Sequence, residues 1–323
     1  MSFEVLDAGM LALLQDSGRY GYQHIGVTTG GPMDEHAFFW ANRLLGNATN
    51  AAQIEINIGR LGLLAHADTY IALTGADLGA RINGKEVTPW RTFQIQRGDR
   101  IEFGMPVAGL RAYIAVAGGL KPATKLGSCA TVVREGLGGL DGRGQKLAKG
   151  DRLEFDRSEL QSGASLPPQE IPDYQKVLSL GVIPCYQYQH FSPSERMTFF
   201  SGTYEVSQRI DRMGYRLTGD PIHSDLDGII SEGIAYGAIQ VPSDGQPIVL
   251  MKDRQTIGGY PKIGCLSALD AGQLAQRGPG AVVRVYLTDV ADAEAKRAIF
   301  SHKLETWKAS LGSLTAAERN CQP

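Results

Sequence analysis

The stretch Gly79-Ala80-Arg81-Ile82-Asn83-Gly84-Lys85-Glu86-Val87 admits two readings, and the choice between them decides the fold. Gly79, Gly84 and Lys85 have the spacing of a phosphate-binding loop, which opens a helix and places a Ser or Thr after the Lys for Mg²⁺. Glu86 stands where that hydroxyl belongs. Asn83-Gly84 instead suits a two-residue type I′ turn, whose central residues both need positive φ. The segment reads as a β-hairpin, and the resemblance to a nucleotide loop is superficial.

The flanking sequence agrees. Val/Ile/Leu-rich strands are expected at 54–58, 70–73, 111–116, 248–251 and 281–287, between turns that draw on 40 glycines and 15 prolines. Few helical patterns lie between them to form the crossovers of a parallel sheet, so the chain reads as mainly β, made of barrels. Three helices are expected. Asp34 caps one over 35–45, with Ala37, Trp40, Ala41, Leu44 and Leu45 on one stripe and Gly46-Asn47 as its stop. Ser192-Pro193-Ser194-Glu195 is a capping box that opens a second helix through Phe200. A third runs over 292–311, with Ile299, Phe300, Leu304, Trp307 and Leu311 on the side expected to pack on the body.

A chain of 323 residues exceeds what one core usually serves. Residues 157–172, RSELQSGASLPPQEIP, have the composition of a linker, which divides the chain into a first β-barrel at 1–156, a second at 173–289 and a helical tail at 290–323. Internal echoes suggest duplication. Gly98-Asp99-Arg100-Ile101-Glu102-Phe103 returns as Gly150-Asp151-Arg152-Leu153-Glu154-Phe155, and strand-turn-strand units begin at both Glu55 and Glu232.

Lys+Arg total 32 against 34 Asp+Glu, so no positive field favours nucleic acid. Residues 1–16 carry no basic segment and no long apolar run, which points to the cytoplasm and away from a membrane. Cys129, Cys185, Cys265 and Cys321 are far apart and the six histidines are scattered, so reduced thiols and no protein-held metal are expected.

Polar, glycine-bearing clusters concentrate at 15–21, 30–34, 211–219 and 240–262. The last is the densest in donors, as expected of a loop built to hydrogen-bond a polar ligand. Asp253, Lys262 and Arg212 are the expected catalytic groups, lining one pocket of the second barrel. Arg19, Asp34, Arg216, Gln240, Gln246, Gln255, Thr256, Gly258, Gly259 and Tyr260 are the expected substrate-binding residues. No Gly-x-Ser-x-Gly elbow occurs, so positioning, charge stabilisation and a carboxylate or Lys acting as acid or base are the expected tools.

The runs QDSGRYGYQHIGV (15–27), GGPMDEHAFFWANRLLGN (30–47), IEI (54–56), DRMGYRLTG (211–219) and SEGIAYGAIQVPSDGQPIVLMKDRQTIGGYPKIG (231–264) resemble, in order, the family of the 5-oxoprolinase C subunit. This family is also called KipA-like or allophanate-hydrolase-subunit-2-like, and is related to the carboxyltransferase domain of urea carboxylase. The resemblance implies two cyclophilin-like β-barrels with a few short helices and a C-terminal helix. It also implies a hydrolase of a cyclic amide, active only in a complex with a subunit-B-like (KipI-like) and a subunit-A-like (LamB/YcsF-type) protein. ATP with Mg, bound by the complex, would phosphorylate the lactam before water attacks. Alternatives are a biotin-dependent carboxyltransferase acting on a urea-like amide, or a non-catalytic regulator of a subunit-B-like partner. The sequence holds no Met-Lys-Met biotin-acceptor site, so biotin would arrive on another protein. The chain departs from the family at Gly181-Val182-Ile183-Pro184-Cys185-Tyr186-Gln187, which keeps Val182 and Gln187 of an Arg-Val-x-x-Gly-Pro-Gln pattern, and at Ile210, where a polar residue is usual.

Overall fold

A computed structural model describes residues 1–158 and 163–307. The hairpin is present: Arg81–Ile82 pairs with Lys85–Glu86, and Asn83 (φ 51°) and Gly84 (φ 78°) form the left-handed turn. It belongs to a six-stranded sheet whose order is Arg152–Glu154, Ser2–Ala8, Leu61–Ala65, Arg100–Glu102, Arg81–Ile82, Lys85–Glu86. A five-stranded sheet, ordered Leu11–Gln15, Gln53–Asn57, Ala108–Val116, Thr69–Asp77, Arg91–Ile95, shares one apolar core with it. Phe3, Val5, Leu63, Ile101 and Leu153 from one sheet meet Leu14, Ile54, Ile56, Ile71 and Ile114 from the other.

The five-stranded sheet is buried on both faces along its inner strands, which carry polar Gln53, Glu55, Asn57, Thr74 and Arg111 among their apolar residues. Its outer face is covered by helix α1 (Glu35–Leu44), which places Ala41 and Leu44 on Ala72 and Ala115, and Phe38 on Tyr113. Of the two echoes, the Gly-Asp-Arg repeat is structural: its two copies lie in the same sheet and bury Ile101 and Leu153. The glutamate echo is not equivalent. Glu55 lies inside the five-stranded sheet, whereas Glu232 starts a two-stranded ribbon of Glu232–Gly233 and Ile257–Gly258.

The second half is a closed seven-stranded barrel, ordered Leu178–Pro184, Lys262–Leu266, Ala238–Gln240, Ile248–Leu250, Gly214–Thr218, Tyr204–Ile210, Val282–Leu287. It closes through a parallel pairing of Leu178 with Val283. Leu180, Val182, Phe199, Tyr204, Leu217, Val249 and Ile263 fill its interior. Helix α2 (Pro193–Ser201) begins at Ser192, whose hydroxyl accepts from the Glu195 N–H at 3.2 Å. Helix α3 (Ala268–Ala275) escaped the sequence reading because it is short, although Ser267 capping the Asp270 N–H is its legible signal. Helix α4 (Val290–Thr306) turns Phe300 and Leu304 onto the cluster around Trp40 and Trp90, while Ile299 faces solvent and Leu311 lies outside the described residues.

Residues 163–166, within the stretch expected to link the halves, run along the edge strand Arg91–Ile95. The Ala164 N–H donates to Thr92 Oγ1 at 2.6 Å, the Leu166 N–H donates to the Trp90 carbonyl at 2.9 Å, and both side chains are buried.

Two glycines test the turn geometry. Gly84→Ala places a Cβ at φ +78° with nothing within 4 Å, so it carries backbone strain alone, about 1 kcal/mol. Gly75→Ala adds a contact of 2.4 Å with the Arg111 carbonyl oxygen at φ +81°. It should cost at least about twice as much. Urea denaturation compares them, and equal midpoint shifts would contradict this packing.

Candidate functional site

The Asp211 carboxylate accepts from the Met213 and Gly214 N–H groups at 2.7 and 2.9 Å, folding the tight turn between Tyr204–Ile210 and Gly214–Thr218. That turn sends Arg212 into the junction between the barrel and the first half. Its Nε and Nη2 donate to the two oxygens of Asp253, each at 2.9 Å, while Nη1 donates to Glu55 and Nη2 also to the Gly31 carbonyl at 2.8 Å. The second oxygen of Glu55 accepts from the Met33 N–H and the Tyr113 hydroxyl, each at 2.8 Å. All three charged groups are buried. Burial works against the Glu55 carboxylate, but Arg212 and Arg111 outweigh it and hold the group below the usual glutamate range. Burial pushes the Asp253 carboxyl up and outweighs the opposing pull of Arg212.

The same junction holds further contacts. Burial opposes the charge on Glu35, yet Lys252 and Arg297, each donating to it at 2.7 Å, hold its carboxyl down. Gln276 Oε1 accepts from the Leu110 and Arg111 N–H groups at 3.0 and 2.9 Å, and its Nε2 donates to Asp34 at 2.8 Å. Asp34 also caps α1 through the Ala37 N–H and accepts from the Tyr174 hydroxyl. Its oxygens are thus committed to the fold, not to the ligand role expected of it. Arg19 is likewise interior, donating to the Lys125, Ser128 and Ala130 carbonyls.

Arg212 and Asp253 therefore meet as expected, but Lys262 does not join them. Lys262 donates to Glu232, which also accepts from Gln187 Nε2 at 3.0 Å. That hydrogen bond from Lys262 holds Glu232 below its ordinary value. Gln246 binds both the N–H and the carbonyl of Gly219, the Thr256 carbonyl accepts from the Ile234 N–H, Gly258 pairs with Glu232 in the ribbon, and the Gly259 carbonyl accepts from the Ile229 N–H.

A cavity of about 430 Å³ opens on the barrel, on the other side of the Asp211 turn. Arg216, Gln240, Gln255 and Tyr260 of the expected set line it, whereas Arg212, Asp253 and Lys262 do not. Arg209, Ile210, Ile248 and Leu250 complete much of its wall. Arg216 is paired with Asp244. Sequence reasoning missed Glu35, Glu55, Lys252 and Arg209. The signal for Glu55 and Lys252 was a charge inside an apolar strand environment, Ile54-Glu55-Ile56 and Leu250-Met251-Lys252, which requires a buried partner.

With this geometry in hand, comparison with known proteins gives the class. Residues 25–286 match the family described as carboxyltransferase domain, subdomain A and B, and the chain belongs to that family. It is 38% identical over 275 residues to the C subunit of 5-oxoprolinase from Escherichia coli (strain K12), covering 84% of this chain and 87% of that protein. With the C subunit of 5-oxoprolinase from Haemophilus influenzae it shares 33% identity, covering 92% of this chain and 96% of that one. Among solved structures, Kluyveromyces lactis urea carboxylase superposes with a TM-score of 0.88 at 25% identity; the match covers 98% of this chain and 30% of the other.

Arg212→Ala leaves two buried carboxylates without their cation and should cost about 3–5 kcal/mol in urea denaturation. A loss within about 0.5 kcal/mol, the range of an ordinary surface change, would contradict the assigned pairing. The pH dependence has a defined sign. Glu35 and Glu55 are depressed below 4.5, so their stabilisation is present above pH 4.5 and is lost as pH falls through their folded values. Asp253 is raised above 3.8, so its protonation on acidification opposes part of that loss. Glu35→Gln should flatten the acid limb of the stability profile, and an unchanged limb would count against the Lys252 pairing.

Proposed function

We propose that this chain is the C-subunit component of a cytoplasmic, ATP-dependent 5-oxoprolinase. In a complex with subunit-B-like and subunit-A-like proteins it opens 5-oxo-L-proline to glutamate, the lactam being phosphorylated before water attacks. The observation that carries this reading is the 38% identity to the Escherichia coli 5-oxoprolinase C subunit across 84% of the chain. Among the described residues no helix is long and apolar enough to cross a membrane.

The charges of this chain suit positioning. Arg212 is committed to Glu55 and Asp253, and Lys262 to Glu232, so neither offers a free cation to a transferring phosphoryl group. Segment 79–85 is a hairpin with Lys85 exposed and does not fit a phosphate cradle. In this reading ATP with Mg is bound by the assembled complex. What the barrel supplies is a cavity whose wall combines carboxamides, Arg209, Arg216 and Asp211 with the apolar Ile210, Ile248 and Leu250, a mixture suited to orienting a small polar ligand.

The likeness to urea carboxylase favours a second reading, carboxyl transfer from carboxybiotin to a urea-like amide. Lys252 is not the biotin carrier in that case, because it is buried against Glu35 and lies 4.2 Å over the Tyr236 ring. Reconstitution separates the two. Glutamate release from 5-oxo-L-proline should require ATP and all three proteins, with this chain inactive alone. Hydrolysis by the isolated chain would overturn the proposal, and turnover of urea that depends on carboxybiotin would select the second reading.

A further inference from the structure

Helix α4 is held to the body by a single apolar anchor and a few polar ties. Phe300 is the only buried residue of the helix, and it enters the cluster of Trp40 and Trp90 with Leu304 and Trp307 packed beside it. Arg297 Nη1 donates to Glu35 at 2.7 Å, and Lys303 Nζ donates to the two oxygens of Glu170 at 2.9 and 2.8 Å. Arg43 Nη2 donates to the Glu305 and Trp307 carbonyls at 3.0 and 2.7 Å. A helix with so little buried apolar surface belongs to the part of a fold that opens most easily.

His36, the second residue of α1, lies against that anchor. Its ring stacks on Phe300 with centroids 5.1 Å apart and 30° between the planes, and it borders Trp90 and Trp40 at 5.6 and 6.5 Å. Its Nδ1 is buried and has no hydrogen-bond partner among the described residues. A neutral imidazole leaves that nitrogen bare when its proton is on Nε2, whereas an imidazolium must place an N–H donor there. Burial then penalises both the charge and the unpaired donor.

The charged groups acting on the ring are Asp34 on its own helix, Glu170 on the 168–170 turn and Lys303 on α4. Both carboxylates are committed elsewhere: Asp34 accepts from the Ala37 N–H, the Tyr174 hydroxyl and Gln276, and Glu170 is held by Lys303. Glu35, next in sequence, is shared by Lys252 and Arg297, and Arg91 follows Trp90 on the adjoining strand. Burial outweighs the pull of the two carboxylates and, with Lys303 acting in the same direction, holds the imidazole below the usual histidine value of 6.5.

We propose that α4 is a pH-sensitive strap, docked on α1 while His36 is neutral and released when mild acid protonates that ring. The released imidazole returns to its ordinary value, so docking is strongest above pH 6.5, weakens as the pH falls below it and levels off beneath the docked value. Release withdraws Arg297 from Glu35 and opens the cavity of about 310 Å³ between α3 and α4, which Glu35, Ser267, Leu269 and Glu294 help to line. The device does not depend on which amide the protein acts on.

All three tryptophans of the chain, Trp40, Trp90 and Trp307, belong to this cluster, so intrinsic fluorescence reads the strap. In the full chain titrated from about pH 8 to about pH 5, the range of an unperturbed histidine, emission should move to longer wavelength and acrylamide quenching should rise. The barrel amides of Ile248–Leu250 should stay protected from exchange throughout. His36→Phe keeps an aromatic ring on Phe300 without a titrating group, and His36→Gln removes the titration in a different shape. Both should abolish the step, and Phe300→Ala should give the released signal at every pH. Wild-type emission that is flat across the range would overturn the proposal, as would a step that persists in both His36 variants. A fall in intensity at constant wavelength and constant acrylamide access would also overturn it, because the imidazolium would then only quench the tryptophans of a docked helix. Loss of protection at Ile248–Leu250 in the same step would replace the strap with general acid unfolding.

Discussion

The guanidinium of Arg212 is the interaction on which the rest of the structure depends. It comes from the barrel, yet it satisfies Glu55 in the five-stranded sheet, the Gly31 carbonyl and Asp253 together. A buried ion is tolerable only when its partners are in place, so each half needs the other for its charges to be matched. A planar fork is suited to this because it reaches three acceptors from one rigid group, which an ammonium on a flexible stem does not. Met33 reinforces the junction from the other side: it belongs to the first half in sequence but sits with Val182, Tyr215 and Ile263 in the barrel's core.

The cavity is tied to this junction through a few residues of chain. Asp211 folds the turn, Arg212 leaves on the side of the first half, and Arg209, Ile210 and Arg216 leave on the side of the cavity. The expected catalytic group Asp253 holds Arg212 in place and so acts on the cavity at one remove. Lys262 and Glu232 brace the ribbon whose Gly258 packs on Gln240. The cavity wall thus rests on strands and on charges that are already paired.

Much of the fold was legible because it is written locally. Asn83-Gly84 specifies a turn, Asp34 and Ser192 specify helix starts, and the apolar runs specify strands. Part of the candidate cavity's lining was legible in composition, but its geometry was not. The 240–262 segment does supply Gln240, Gln255 and Tyr260 to the cavity, but it also supplies Asp253 and Lys262, which face other partners. Neighbouring residues on strands and tight turns point to opposite sides. Only the register of Gln240 opposite Lys262, and the long-range approach of Glu55 to Arg212, decide which side is which. A sequence read one segment at a time contains neither.

The buried charge cluster makes the two halves one cooperative unit. Native-state hydrogen exchange tests this most directly, by comparing amides of Gln53–Asn57 in the first half with those of Ile248–Leu250 in the barrel. Both sets should exchange with the same opening free energy and the same denaturant dependence, because neither half opens without exposing unpaired ions in the other. Barrel amides that open at a clearly lower free energy, while the first-half strands stay protected, would contradict it.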